Sequence, residues 1–251
     1  QKTAYEIRNC DWSSDVCSSD LEFTSSARAR SNFWLALRVA MGFAAVLWFI
    51  QIADSYLGLG LNRFGLRPRA TDGLVGVFMA PLLHGGFGHL FNNTAPLLVS
   101  LTTMLYLYPN ISVRALPMLW FGTAMLTWFI GRPSLHIGAS GLIYGMLAFV
   151  FVSGVLRQDF RSVAVSLMVW FLYGSMIWGV LPVRSGMSWE MHLSGAVLGV
   201  IMAALYRKWD RVPLKTYEWE EDDTVPDWFP GIDAQSSEGD APRQSERRAD
   251  D

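Results

Sequence analysis

Six apolar stretches, at residues 33–53, 88–108, 112–131, 138–156, 162–180 and 190–207, govern what this chain can fold into, and none carries an internal Asp, Glu or Lys. Each is close to the roughly 20 residues that an α-helix needs to cross a bilayer. In hydrocarbon every backbone N–H and C=O must be satisfied within the segment, which selects helices for such stretches. The expected fold is therefore an all-α membrane bundle of six transmembrane helices. The two interior arginines, Arg38 and Arg114, sit near segment ends, where their stems let the charge reach water.

Charge is distributed in blocks rather than evenly. Only Asp54, Asp72, Asp159 and Glu190 are acidic between Phe23 and Trp209, whereas Glu218–Asp251 holds twelve acidic residues. This divides the chain into a leader at 1–22, a membrane domain at 23–209 and an acidic, disordered cytoplasmic tail at 210–251. The leader is polar and aperiodic and lacks the basic start and apolar centre of a signal peptide, so it reads as either non-native or disordered. It holds both cysteines, Cys10 and Cys17, which therefore provide no disulfide framework for the fold. In the tail, Trp219, Trp228 and Phe229 are the candidate contact residues, against the plainer reading of a solvated segment.

Six spans place both termini on one side, and positive charge chooses which. With the N-terminus inside, nine basic residues are cytoplasmic (Arg28, Arg30, Arg114, Arg157, Arg161, Arg207, Lys208, Arg211 and Lys215), against Arg63, Arg67, Arg69, Arg132 and Arg184 outside. Both ends are expected in the cytoplasm. The long first extracytoplasmic loop, 54–87, mixes turn residues with short apolar runs and has room for small helices at the membrane surface. No internal repeat of the kind many transporters carry is visible, and apart from Arg38 and Arg114 near segment ends the spans hold no interior charge, which argues against a transporter or channel.

The fourth segment opens with HIGASGLIYG, residues 136–145. Gly138 and Gly141 flank Ser140 and leave its hydroxyl approachable. Glycine follows the serine directly, so this is not the G-x-S-x-G elbow of soluble hydrolases. Serine and glycine are also common in membrane helices merely because they permit close packing. His192, in WEMHLSGAVLG, gives the serine a partner, since an ionisable residue near membrane depth points to function. Spans four and six run in the same direction, so both residues start helices at the outer surface. Gly141 and Gly145 follow the serine, Gly195 and Gly199 follow the histidine, and each pair lies four residues apart on one stripe. Two such stripes can pack backbone to backbone and bring imidazole to hydroxyl, the geometry of an activated nucleophile.

At the start of the second span, HGGFGHLFNNT (84–94) sets His89 and Asn93 on one helix face, where both offer donors to an oxyanion. His84 and Asn92 are expected to satisfy local backbone groups, and His136 to be a surface histidine. Glu190, two residues from His192, faces elsewhere and reads as a loop or helix-cap carboxylate.

Together, HGGFGHLFNN, GASGLIYG and HLSGAVLG, in that order on spans two, four and six, resemble the rhomboid family of intramembrane serine proteases over about residues 33–207. The resemblance implies a six-helix core with a Ser140–His192 dyad and no third acidic member, with His89 and Asn93 stabilising the oxyanion. Tyr144 falls where the family often has a ring that packs on the catalytic histidine. The first loop lacks the Trp-Arg pair that some members carry before the histidine motif. The implied substrates are transmembrane segments of other membrane proteins, with small residues before the cleaved bond and lateral entry near span five and the loop Leu181–Ser188. No metal or cofactor is expected, because the four histidines have no carboxylates or cysteines in a ligand pattern. Partners are expected to be membrane lipid and membrane-protein substrates, with no nucleic acid and no obligatory protein partner. The absence of a transit-peptide pattern favours a bacterial plasma membrane. A catalytically inactive, client-binding relative is the alternative, although such proteins usually lack the serine or the histidine.

Overall fold

A computed structural model describes residues 27–157, 160–182 and 186–209. The leader with its cysteines, Arg184, and the acidic tail from residue 210 lie outside the described residues. The long helices are α1 (Ala27–Leu57), α2 (Phe87–Leu107), α3 (Pro109–Ile130), α4 (Ser140–Arg157), α5 (Phe160–Tyr173) and α6 (Trp189–Leu205). α5 continues as a 3₁₀ segment, Gly174–Val180. Between α1 and α2 the chain forms 3₁₀ turns at Leu61–Phe64, Asp72–Val75 and Ala80–Leu82 and a single α-turn at Gly76–Met79, so this loop does hold small helices.

Among the described residues, length and hydropathy qualify four elements to cross a membrane: Ala29–Leu57, Pro109–Ile130, Ser140–Arg157 and Ser162–Val180. A fifth arises if Asp72–Leu82 and Phe87–Leu107, which meet at a bend of 64°, act as one span. α6 is apolar but has only 17 residues. Several boundaries differ from the sequence reading for local reasons. α1 begins at residue 27 rather than 33 and runs for 31 residues. α3 starts at Pro109, whose fixed φ and missing N–H suit the first helical position. α4 starts at Ser140 rather than 138, because Gly138 has φ +117°, outside the helical region.

α4 is the central helix. In its apolar window 61 % of the residues are buried, against 17–28 % in the other three qualifying spans. It packs against α2, α3, α5 and α6, with α6 the most intimate neighbour. Lipid is as apolar as these side chains, so the bundle is held by close packing rather than by withdrawal of apolar surface from water. Leu47 of α1, Leu97 and Met104 of α2, Leu119 of α3, and Ile143, Met146 and Phe149 of α4 are fully enclosed in one core. Phe49, Phe160 and Phe171 face outward and are more than 70 % exposed, as side chains that meet hydrocarbon are.

The approach of α4 and α6 depends on glycine. A methyl group built on Gly195 would lie 2.0 Å from the Gly141 carbonyl oxygen, and one on Gly199 would lie 2.2 Å from that of Gly145. The contacts advance in the same order along both helices, so the two run parallel and both begin at the same end of the bundle.

Candidate active site

Ser140 is the first residue of α4 and His192 the fourth of α6. The parallel packing brings His192 Nε2 to 2.8 Å from Ser140 Oγ. Both side chains are buried, each 6 % exposed. The other ring nitrogen, Nδ1, lies 2.9 Å from the carbonyl oxygen of Gly179. A carbonyl can only accept, so Nδ1 carries the proton and Nε2 is left to accept from the serine hydroxyl. The tautomer that a general base requires is thus set by a backbone carbonyl, in the place where a Ser-His-Asp triad uses a carboxylate.

Tyr144 fixes the plane of the imidazole. The two rings are stacked at 4.2 Å between centroids and 7° between planes. The Tyr144 hydroxyl donates to the Met176 carbonyl at 2.7 Å. A side chain on Gly179 would collide with the Tyr144 hydroxyl, its Cβ lying 1.8 Å away. The 3₁₀ continuation of α5 therefore brackets both rings with two carbonyls. Tyr144→Phe removes the hydroxyl and leaves the Met176 carbonyl without this donor, an expected loss of about 1 kcal/mol. A thermal melt of the purified protein checks this, and the ring stack on His192 is expected to survive.

On the opposite side of Ser140, Gly138 is the residue that glycine's conformational freedom requires. Its φ of +117° is strained for any other residue. A Cβ there would also lie 2.7 Å from Cε1 and 2.9 Å from Nε2 of His89. The same point is 3.6 Å from Ser140 Oγ, so the His89 imidazole borders the serine across the bare glycine backbone. His89 Nδ1 accepts from the Gly85 N–H at 3.4 Å, which makes Nε2 the donor of a neutral ring. Asn93, one turn along α2, is buried, and its Nδ2 has no hydrogen-bond partner.

The family profile described as the Rhomboid domain matches residues 71–209, a stretch that includes Ser140, His192, Tyr144, His89 and Asn93. The chain belongs to the rhomboid family. Uncharacterized proteins of Mycobacterium bovis and Mycobacterium tuberculosis are each 39 % identical to this rhomboid over 191 residues, which is 72 % of this chain and 80 % of theirs. An uncharacterized protein of Mycobacterium leprae is 39 % identical over 174 residues, 65 % of this chain and 68 % of its own.

The structure of this rhomboid corrects two readings of single residues, His136 and Glu190, and extends a third, His84. His136 is not a surface histidine: it is fully buried. Its Nε2 lies 3.1 Å from the Arg132 carbonyl oxygen and 3.2 Å from Ser134 Oγ, and its Nδ1 meets the Ser188 hydroxyl. Burial pushes its pKa below the ordinary histidine value, and the Arg132 carbonyl and Glu190 oppose that only in part. His84 also reaches beyond its own segment: besides its local backbone contact with Leu82, its Nε2 accepts from the Ala139 N–H, 55 residues away in sequence, at 3.4 Å. Glu190 does not cap its own helix. It is 2 % exposed and pairs with Arg132, accepting from Nε at 3.2 Å and from the backbone N–H at 3.3 Å. Asn92, by contrast, is exposed.

Sequence reasoning missed Met176 and Gly179. Their contribution is a carbonyl each, which any residue supplies, so no side-chain signature marks them.

Proposed function

We propose that this rhomboid is an intramembrane serine endopeptidase that hydrolyses peptide bonds in or beside transmembrane segments of other membrane proteins. The observation that carries the reading is the 2.8 Å contact between Ser140 Oγ and His192 Nε2, with the imidazole held from its far side by the Gly179 carbonyl. A serine packed only for its small size would not need a histidine in that tautomer.

In this mechanism His192 Nε2 takes the hydroxyl proton as Ser140 Oγ attacks the scissile carbonyl. The negative oxygen of the tetrahedral intermediate is stabilised by His89 Nε2–H, Asn93 Nδ2–H and the Ser140 backbone N–H. The imidazolium returns its proton to the leaving amine, which departs and leaves the acyl-enzyme. Water then attacks the ester with His192 again as base, and Ser140 recovers its proton. A helical substrate must unwind at the cleavage point to expose its carbonyl, which helix-breaking residues in the substrate make easier.

The domain is read as six spans, α2 with its bent preceding segment and α6 completing the set. α6 is about 25 Å long at 1.5 Å per residue, slightly short of the hydrocarbon thickness. The nine-to-five distribution of basic residues supports cytoplasmic termini. On this reading the dyad lies toward the outer face of a bacterial plasma membrane.

A fluorophosphonate probe tests the activity without a known substrate. Detergent-purified protein is expected to become covalently labelled, with the adduct mapped by mass spectrometry to the peptide containing Ser140. Folded protein that stays unlabelled, while an active rhomboid labels in parallel, would reverse the reading in favour of an inactive, client-binding protein.

A further inference from the structure

A second serine–histidine contact lies beside the first, and the mechanism above does not use it. His136 Nδ1 accepts from the Ser188 hydroxyl, while its Nε2–H donates to the Arg132 carbonyl at 3.1 Å. This repeats the order found at the dyad, where one ring nitrogen meets a serine and the other a backbone carbonyl. The residue types are exchanged between the two segments. His136 lies four residues before Ser140, and Ser188 four residues before His192, so both contacts join residues 52 apart.

Each end of this second contact is tied to a different part of the reacting pair. On one side His136 is immobile: it is fully buried, and its backbone exchanges two hydrogen bonds of 2.9 Å with Leu66 of the first loop. On the other side Ser188 precedes α6, and its carbonyl accepts from the N–H groups of Met191 and His192, both at 3.2 Å. The position of Ser188 thus sets the first turn of the helix that carries the base. During turnover the bond between Ser140 and His192 must break as the proton leaves, so that bond cannot by itself hold the two residues at reacting distance. The contact between His136 and Ser188 takes no part in the proposed proton transfer and so need not break when it occurs.

We propose that His136 and Ser188 are positioning residues, a second serine–histidine pair that fixes the separation of Ser140 and His192. The inference rests on the serine-hydrolase reading above. Misplacing a reacting group by about 1 Å costs on the order of a hundredfold in rate, whereas binding of a small probe is little affected. Loss of the pair should therefore reach the limiting rate of labelling and spare the half-saturating probe concentration.

The test is fluorophosphonate kinetics on the full chain, comparing His136→Ala, Ser188→Ala, the double variant and Ser188→Thr with the parent, and with Ser140→Ala as the blank. Each single alanine variant is expected to lower the limiting rate at least about tenfold at unchanged half-saturation. The double variant should be no slower than the slower single one, because both changes break the same contact. Ser188→Thr keeps the hydroxyl and should recover most of the rate. If His136→Ala does not fold, Ser188→Ala, which deletes one oxygen, decides together with the threonine rescue. A parental limiting rate in Ser188→Ala, multiplied effects in the double variant, or labelling of Ser188 itself in Ser140→Ala would overturn the inference while leaving the dyad intact. A parent that fails to label overturns both.

Discussion

His192→Ala is expected to slow fluorophosphonate labelling of Ser140 by on the order of a thousandfold or more, and Ser140→Ala to abolish it. The size follows from what the imidazole does. A serine hydroxyl is a poor nucleophile until a base accepts its proton, and the base here is already oriented, with Nδ1–H given to the Gly179 carbonyl at 2.9 Å. The two residues act as one unit, so His192→Ala should make Ser140 no more reactive than an ordinary membrane serine. Both variants remove side chains at a helix start without adding bulk, but His192→Ala also leaves the Gly179 carbonyl without its donor, so thermal melts alongside the labelling separate lost chemistry from the modest loss of structure. Retained labelling of His192→Ala at the parental rate would show that Ser140 is activated by something else.

Gly195→Ala is expected to be strongly damaging. The new carbon would lie 2.0 Å from the Gly141 carbonyl oxygen and 3.2 Å from the Gly145 nitrogen. Both neighbours are backbone, so no side chain can rotate away, and α6 must move bodily off α4. Overpacking of this kind costs about 1–3 kcal/mol, and a displacement of about 1 Å at His192 would lower the labelling rate on the order of a hundredfold. Gly42→Ala is the matched control. It lies in the interior of α1 with nothing within 4 Å of its added carbon, and it gains helix propensity. A stable Gly42→Ala protein beside a destabilised, inactive Gly195→Ala protein separates helix contact from helix propensity. Equal behaviour of the two would contradict the packing described here.

Much of this was legible in the sequence because the informative residues are those whose side chains do the work. Long apolar runs announced the helices, and their capacity to bury backbone hydrogen bonds made the helical class secure. Glycines at four-residue spacing beside Ser140 and His192 predicted which stripes would touch, and Gly141 and Gly195 do touch. The stacking of Tyr144 on His192 followed from the family resemblance and is found in the geometry. What escaped notice depends on tertiary context. Gly179 orients the base through a carbonyl, which has no sequence code. His136 sits among Arg132, Pro133 and Ser134, a polar neighbourhood that reads as exposed loop, yet antiparallel pairing with Leu66 draws it inside. Glu190 looked like a cap because it occupies the first turn of α6, but Arg132, 58 residues earlier, competes for it successfully.

Three helices start where the chemistry is placed: α2 at Phe87, α4 at Ser140 and α6 at Trp189. Each peptide unit is a dipole aligned with its helix axis, so each of these starts carries roughly half a positive elementary charge. Converging there, they make the local potential positive in surroundings where lipid and apolar side chains screen little. In the proposed reaction, such a field would favour the anionic oxygen formed by attack of Ser140. The fold that brings hydroxyl and imidazole together therefore also sets the electrostatic setting in which the proposed chemistry would run.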